Sequence, residues 1–156
     1  MQRLYAPWFF AFCLFTLVFV LHWNSYFYSF HYDDYHSIVY NVALRDLGNI
    51  STFFRDATSF SVDPNQAMYR PILLVSYAVN FALFGEGAGS FHVANVGLHA
   101  VNAVLVFILM LQLGMSNWGS RAVALFFAVH PLTTETIYYV SSRSESLMTL
   151  GVLVAL

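Results

Sequence analysis

Phe91 to Leu113 reads FHVANVGLHAVNAVLVFILMLQL and contains no Asp, Glu, Lys or Arg. A helix crosses a bilayer with about 20 mainly apolar residues, so this stretch is long enough to span one. His92, Asn95, His99 and Asn102 recur within it at helical steps, which puts all four on one face. Polar side chains facing lipid are costly, so this face is expected to look into protein or a wet cavity. Its plainest role is side-chain hydrogen bonding between helices.

The same reading extends outward. Positions 4 to 32 and 87 to 120 carry no charged residue, and the whole chain is 59% hydrophobic and only 9% charged. A water-soluble fold cannot bury both stretches and still keep enough charge for its surface. The chain therefore reads as an all-α polytopic membrane protein, embedded in a lipid bilayer. Spans are expected at about 7–23, 91–113, 121–130 and 141–156. An external loop, 24–90, carries amphipathic helices, one of them a short apolar interfacial helix at 71–84 closed by Gly85-Glu86-Gly87. Within the loop, Tyr35 to Leu47 places Ile38, Val42 and Leu47 on one side of a helix. Thr133-Thr134-Glu135 opens a further helix that is expected to run on through Ser141 into the final apolar run.

The first span ends in His22-Trp23-Asn24-Ser25-Tyr26, an aromatic belt rather than a small-residue cleavage site, so it reads as uncleaved. The run Leu147 to Leu156 carries no cap or interfacial anchor and reads as part of a longer chain, of which this is an N-terminal piece. Arg3 and Arg121 flank spans on what is expected to be the cytoplasmic side, which puts 24–90 and the His130–Glu145 region together on the other. A net charge of -2 without lysine excludes a nucleic-acid partner, because phosphate binding needs a clustered basic face. Cys13 is the only cysteine and is expected to be a buried, inert thiol.

Chemistry centres on Tyr32-Asp33-Asp34-Tyr35, just beyond the first span. Adjacent acids at an aromatic membrane edge are partly desolvated, which favours general-base work; a solvated turn is the alternative. Arg70, Glu135, Arg143 and Glu145 are further ionisable residues at membrane edges, where such groups are functional candidates. Arg143 with either glutamate is equally readable as a neutralising pair. His31, His36, His92, His99 and His130 show no tight ligand spacing, so no metal is expected. Asn49-Ile50-Ser51 is a glycosylation acceptor sequence on the expected external side.

Aromatic-Asp-Asp, then Tyr69-Arg70-Pro71, then Phe91-His92 with Asn95 and His99, then His130-Pro131 with Glu135, then Ser142-Arg143-Ser144-Glu145 occur in that order. Together they resemble the N-terminal region of the TMTC-type protein O-mannosyltransferases and their bacterial relatives, in the GT-C superfamily. The family's Gly-Arg-Ala-Asp stands here as Ser-Arg-Ser-Glu. The resemblance implies a GT-C transmembrane bundle that transfers a sugar from a polyprenyl-phosphate donor to a protein or glycan hydroxyl, without a metal or other cofactor. It implies Asp33 or Asp34 as base, the first of the pair by preference. Arg70 and Arg143 are implied beside the leaving phosphate, with Glu135 and His99 orienting sugar or acceptor and a less defined part for Glu145. It also implies a bacterial inner membrane or endoplasmic reticulum membrane, with chemistry on the non-cytoplasmic side. A transporter or flippase lined by the polar stripe, or a non-catalytic scaffold, are the competing readings of the same residues.

Overall fold

A computed structural model describes residues 2–156, and among them the structure is all-helical. Seven α-helices run in chain order: α1 (Gln2–Leu21), α2 (Ile50–Phe53), α3 (Pro71–Phe84), α4 (Ala88–Gln112), α5 (Asn117–Val129), α6 (Thr134–Tyr138) and α7 (Arg143–Ala155). Of the described helices, α4 alone is long and apolar enough to cross a membrane; Pro7–Leu21 and α3 are apolar but shorter.

Packing divides into two layers. In the first, α1, α4 and α5 meet along Ala11, Ala100, Ala103, Ala124 and Ala128, with Leu14, Val18, Val96 and Phe107 filling between them. Alanines at a seam let helix backbones approach closely, a device suited to helices that gain little from apolar burial against one another. In the second layer the loop after α1 folds over α3 and the start of α4, burying Ile38, Leu44, Phe53, Phe60, Leu74, Tyr77 and Phe91. Trp8, Phe9 and Phe12 remain exposed on α1, and Trp23 just beyond its end. Cys13 is also exposed, contrary to the buried thiol expected, because the α4-facing side of α1 is taken by Ala11, Leu14 and Val18.

The polar stripe of α4 faces inward throughout, and each member reaches a neighbouring backbone. His92 Nε2 lies 3.4 Å from the Ser29 carbonyl, and Asn95 Nδ2 donates to the Thr136 and Tyr139 carbonyls. His99 Nε2 donates to Ala128 O at 3.1 Å, and Asn102 Nδ2 donates to Ser146 O at 2.9 Å. One helix face thus clamps α5, α6 and α7 through their main chains.

Three expectations change. Tyr35–Leu47 is not one amphipathic helix but a wide turn at Tyr35–Val39 followed by short 3-10 turns at Val42–Arg45 and Leu47–Asn49. Asn41 leaves helical geometry so that its oxygen takes the Ala43 N–H and its amide reaches Ser59 O, while Asp46 takes the Gly48 N–H. Such local side-chain bonds compete with a helix and win here. Consequently Ile38 and Leu44 are buried while Val42 and Leu47 are exposed. Second, the helix from Thr134 stops at Tyr139 and restarts at Arg143. The groups freed at this break are satisfied from elsewhere: Tyr77 Oη donates to Val140 O, and Asp34 accepts from Ser141. Third, α5 begins at Asn117, where Ser116 caps the Gly119 N–H, so the loop after α4 is shorter than expected.

Entry to α4 has a steric requirement. A Cβ added to Gly89 would stand 2.6 Å from the Tyr26 carbonyl oxygen and 2.9 Å from its ring. A backbone oxygen cannot yield cheaply, so Gly89→Ala is expected to destabilise by about 1–3 kcal/mol. Thermal unfolding in detergent checks this against Gly87→Ala, where the added carbon meets nothing.

Candidate functional site

The chain leaves α1 through a 3-10 turn, Trp23–Phe27, and reaches the two acids after Tyr32, whose φ of 43° is left-handed. A tyrosine there costs about 1–2 kcal/mol. The turn it makes sends the two carboxylates to different environments.

Asp34 is completely buried. Its Oδ1 accepts the Ser141 N–H at 2.9 Å and the Ser141 Oγ–H at 2.6 Å, and its Oδ2 accepts the His31 N–H at 3.0 Å. With donors on both oxygens, it fastens the loop to the break before α7. Asp33 is different: its side chain is 60% exposed, with Oδ1 3.6 Å from His36 Nε2. Its backbone is fixed, the N–H donating to Tyr139 Oη at 3.3 Å and the carbonyl accepting from Ser37 Oγ at 2.6 Å. Asp33 is therefore an accessible carboxylate on an immobilised backbone.

An open hollow of about 360 Å³ beside it is lined by His31, Tyr32, Glu135, Tyr138 and Tyr139. Glu135 is exposed on its wall. Burial pushes the Tyr138 and Tyr139 phenols above their ordinary value, which keeps both as neutral hydroxyls near neutral pH. The two tyrosines were not singled out in the sequence. Glu135 is the one local sign, since Tyr138 and Tyr139 follow it by three and four residues, about one helical turn.

Arg70 opens a second feature. Its NH1 lies 3.5 Å from Ser144 Oγ, and its guanidinium rests over the Phe60 ring at 5.6 Å. No acid pairs with it among the described residues. Below it runs a groove of about 270 Å³ walled by Pro71, Ile72, Leu73, Leu147 and Met148. Arg70 immediately precedes α3, and Ser144 lies in the first turn of α7, so two helix N-termini converge on the unpaired cation. Helix N-termini carry partial positive charge and free N–H groups, so all three features favour an anion at the head of an apolar groove.

Other candidates are placed differently. Arg143 is 1% exposed and lies inside the α3–α4–α7 junction. Its Nε donates to Asn95 Oδ1 at 2.7 Å, and NH2 donates to Asn80 Oδ1 and Phe91 O at 3.2 and 3.0 Å. The guanidinium also stacks over Tyr77 at 4.9 Å. It forms no ion pair with Glu135 or Glu145, and its donors face away from the surface. His99 is held against Ala128 O and the Phe127 ring, within the helix bundle rather than in either cavity. Glu145 is exposed on α7, and its carbonyl accepts from Thr149. Asn49 spends its amide on Ala43 O. Among the described residues no group of three or more His, Cys, Asp or Glu is placed to hold a metal ion.

The structure thus hangs both surface features on one short segment. Tyr139 touches Asp33, Ser141 holds Asp34 and Ser144 touches Arg70.

Comparison with known proteins adds the class: the chain is a homologue of protein O-mannosyltransferases over most of its length. Within them it is of the TMTC type. It is 32% identical over 137 residues, 86% of this chain, to protein O-mannosyl-transferase TMTC3 of Homo sapiens. To protein O-mannosyl-transferase Tmtc1 of Drosophila melanogaster it is 31% identical over 133 residues, 83% of this chain, and to F38B6.6 of Caenorhabditis elegans 31% over 135, or 82%. The matches cover 15%, 16% and 19% of those three relatives, so the chain corresponds to a small part of their length. No family model matches the chain, and no solved structure matches it.

Proposed function

We propose that this chain carries the acceptor base and the donor-phosphate site of a GT-C-type glycosyltransferase. On this reading it is part of a polytopic membrane bundle in a bacterial inner membrane or endoplasmic reticulum membrane. The enzyme moves mannose from a polyprenyl-phosphate carrier to a Ser or Thr hydroxyl of a protein on the non-cytoplasmic side. The choice of sugar and acceptor class follows the names of the relatives.

The observation that carries the proposal is the Arg70 groove. A polyprenyl phosphate is an anion attached to an apolar chain, and the groove presents an unpaired guanidinium and two helix N-termini above apolar walls. Asp33 supports the other half of the reaction, since it is exposed, fixed at its backbone and beside a hollow with hydroxyl and carboxylate groups. In the step proposed, Asp33 takes the acceptor's hydroxyl proton as the oxygen attacks the anomeric carbon. The bond from that carbon to the phosphate oxygen breaks, its electrons leaving with the lipid phosphate, and the anomeric centre inverts. Arg70 stabilises the charge that develops on the departing phosphate, and Glu135 hydrogen-bonds sugar hydroxyls.

The test is transfer of labelled mannose from polyprenyl-phospho-mannose to a Ser/Thr peptide by membranes containing the protein. Arg70→Gln is expected to raise the donor KM roughly 10- to 100-fold, the scale of one lost charge-assisted contact, with acceptor KM unchanged. Unaltered donor affinity in this variant would remove the groove from the reaction.

A further inference from the structure

His36 stands three residues after Asp33 on the wide turn, and the segment Phe60–Asp63 grips it from the other side. Val62 N–H donates to the His36 carbonyl at 3.1 Å, and the Phe60 ring meets the imidazole edge-on at 6.4 Å. Ser61 Oγ lies 2.9 Å from His36 Nδ1 and accepts the Asp63 N–H, also at 2.9 Å. A hydroxyl has one proton to give, and the Asp63 amide, itself a donor, cannot receive it. A Ser61 proton given to Nδ1 makes Nδ1 the acceptor and leaves the neutral ring's proton on Nε2, the tautomer in which Nε2 can donate. That Nε2 is buried without a hydrogen-bond partner and faces Asp33 Oδ1 at 3.6 Å.

We propose that His36 is a positioning residue for Asp33. Its Nε2–H takes Oδ1 of the carboxylate and leaves Oδ2 free to receive the acceptor proton. The gap of 3.6 Å exceeds a hydrogen bond. A small rotation of the exposed Asp33 side chain closes it, and such contacts commonly tighten when substrate is bound. Ser61 acts one step further out by fixing the tautomer, as outer partners do for other working imidazoles. The proposal rests on Asp33 as the base, the reading given above.

The experiment combines nitrogen NMR of histidine-labelled protein in detergent with transfer kinetics in membranes. In wild type, His36 is expected to show a protonated Nε2 and a bare Nδ1, and Ser61→Ala is expected to give a mixture of tautomers. His36→Ala is expected to lower kcat roughly 10- to 100-fold with both KM values within about twofold, the scale of a misplaced catalytic group. His36→Gln, which keeps a side-chain N–H, is expected to recover most of that loss. His36→Ala added to Asp33→Asn is expected to cost nothing more. A protonated Nδ1, or full kcat in His36→Ala with Asp33→Asn inactive, overturns the role of His36 alone. Full activity in Asp33→Asn overturns the base itself. If His36→Ala does not fold, Ser61→Ala carries the kinetic test, with a several-fold fall in kcat expected and an unchanged kcat refuting the relay.

Discussion

Asp33→Asn is expected to lower mannose transfer by roughly 10²- to 10⁴-fold, the usual contribution of a positioned acid–base group, and to leave the melting temperature unchanged. Asp34→Asn is expected to act through stability. The two acids are neighbours in sequence, and a carboxamide is nearly isosteric with a carboxylate at both, so the difference comes from their surroundings. Asp33 presents a 60% exposed side chain whose Oδ1 stands 3.6 Å from His36 Nε2, and the hydrogen bonds that fix this residue come from its backbone. Surface changes of this kind stay within about 0.5 kcal/mol. Asp34 is wholly buried and accepts from Ser141 on one oxygen and from His31 on the other. An amide can accept on one side only, so its NH2 must oppose a backbone N–H. A buried donor left unpaired costs about 1–3 kcal/mol, which lowers the melting temperature by roughly 2–12 °C for a chain of this size. Transfer activity and thermal unfolding of the two variants check both halves. An active Asp33→Asn beside a folded but inactive Asp34→Asn would move the base to Asp34 and overturn the choice of Asp33.

How far the sequence could be read follows from where each residue's partners lie. α3 was legible to the residue, because Pro71 sets its first turn and Gly85, with φ of 75°, ends it. The inward face of α4 was also legible, since four polar residues at helical spacing have one economical location. The break at Tyr139 was not. Locally Thr134 to Leu156 looks continuous, and what interrupts it is the demand of distant groups, Asp34 on Ser141 and Tyr77 on Val140. The Asp33–Asp34 pair was visible as a pair, but its division into an anchored acid and an accessible one depends on Tyr32's left-handed turn and on that same break. His36 was visible only as one histidine among several, because its meaning lies in Ser61, 25 residues on. Arg143 was placed beside the leaving phosphate by its neighbours in sequence, whereas the groups that hold it come from α3 and α4.

That last residue carries the largest expected effect on the fold. Arg143→Met is expected to destabilise the protein by at least about 3 kcal/mol, with a fall in melting temperature of roughly 6–12 °C. Methionine has comparable reach and packs well in irregular apolar space, so the loss measures the hydrogen bonds rather than a cavity. Removing the guanidinium strips donors from Asn95 Oδ1, Asn80 Oδ1 and Phe91 O at once, all in a buried junction. Each orphaned acceptor costs about 1–3 kcal/mol, and burying a charge without an ion pair is itself costly, which offsets part of the sum. Asn95 also holds the Thr136 and Tyr139 carbonyls, so its release loosens the segment that carries Tyr139, Ser141 and Ser144. Arg143→Lys is expected to recover less than half of the loss, because an ammonium cannot reproduce the planar fork that reaches Asn95, Asn80 and Phe91 together. A direct phosphate contact makes the opposite prediction: Arg143→Lys would keep the charge and much of the donor affinity, and Arg143→Met would melt like wild type. Unfolding curves beside donor KM for the two variants separate a cation that builds the site from one that touches the substrate.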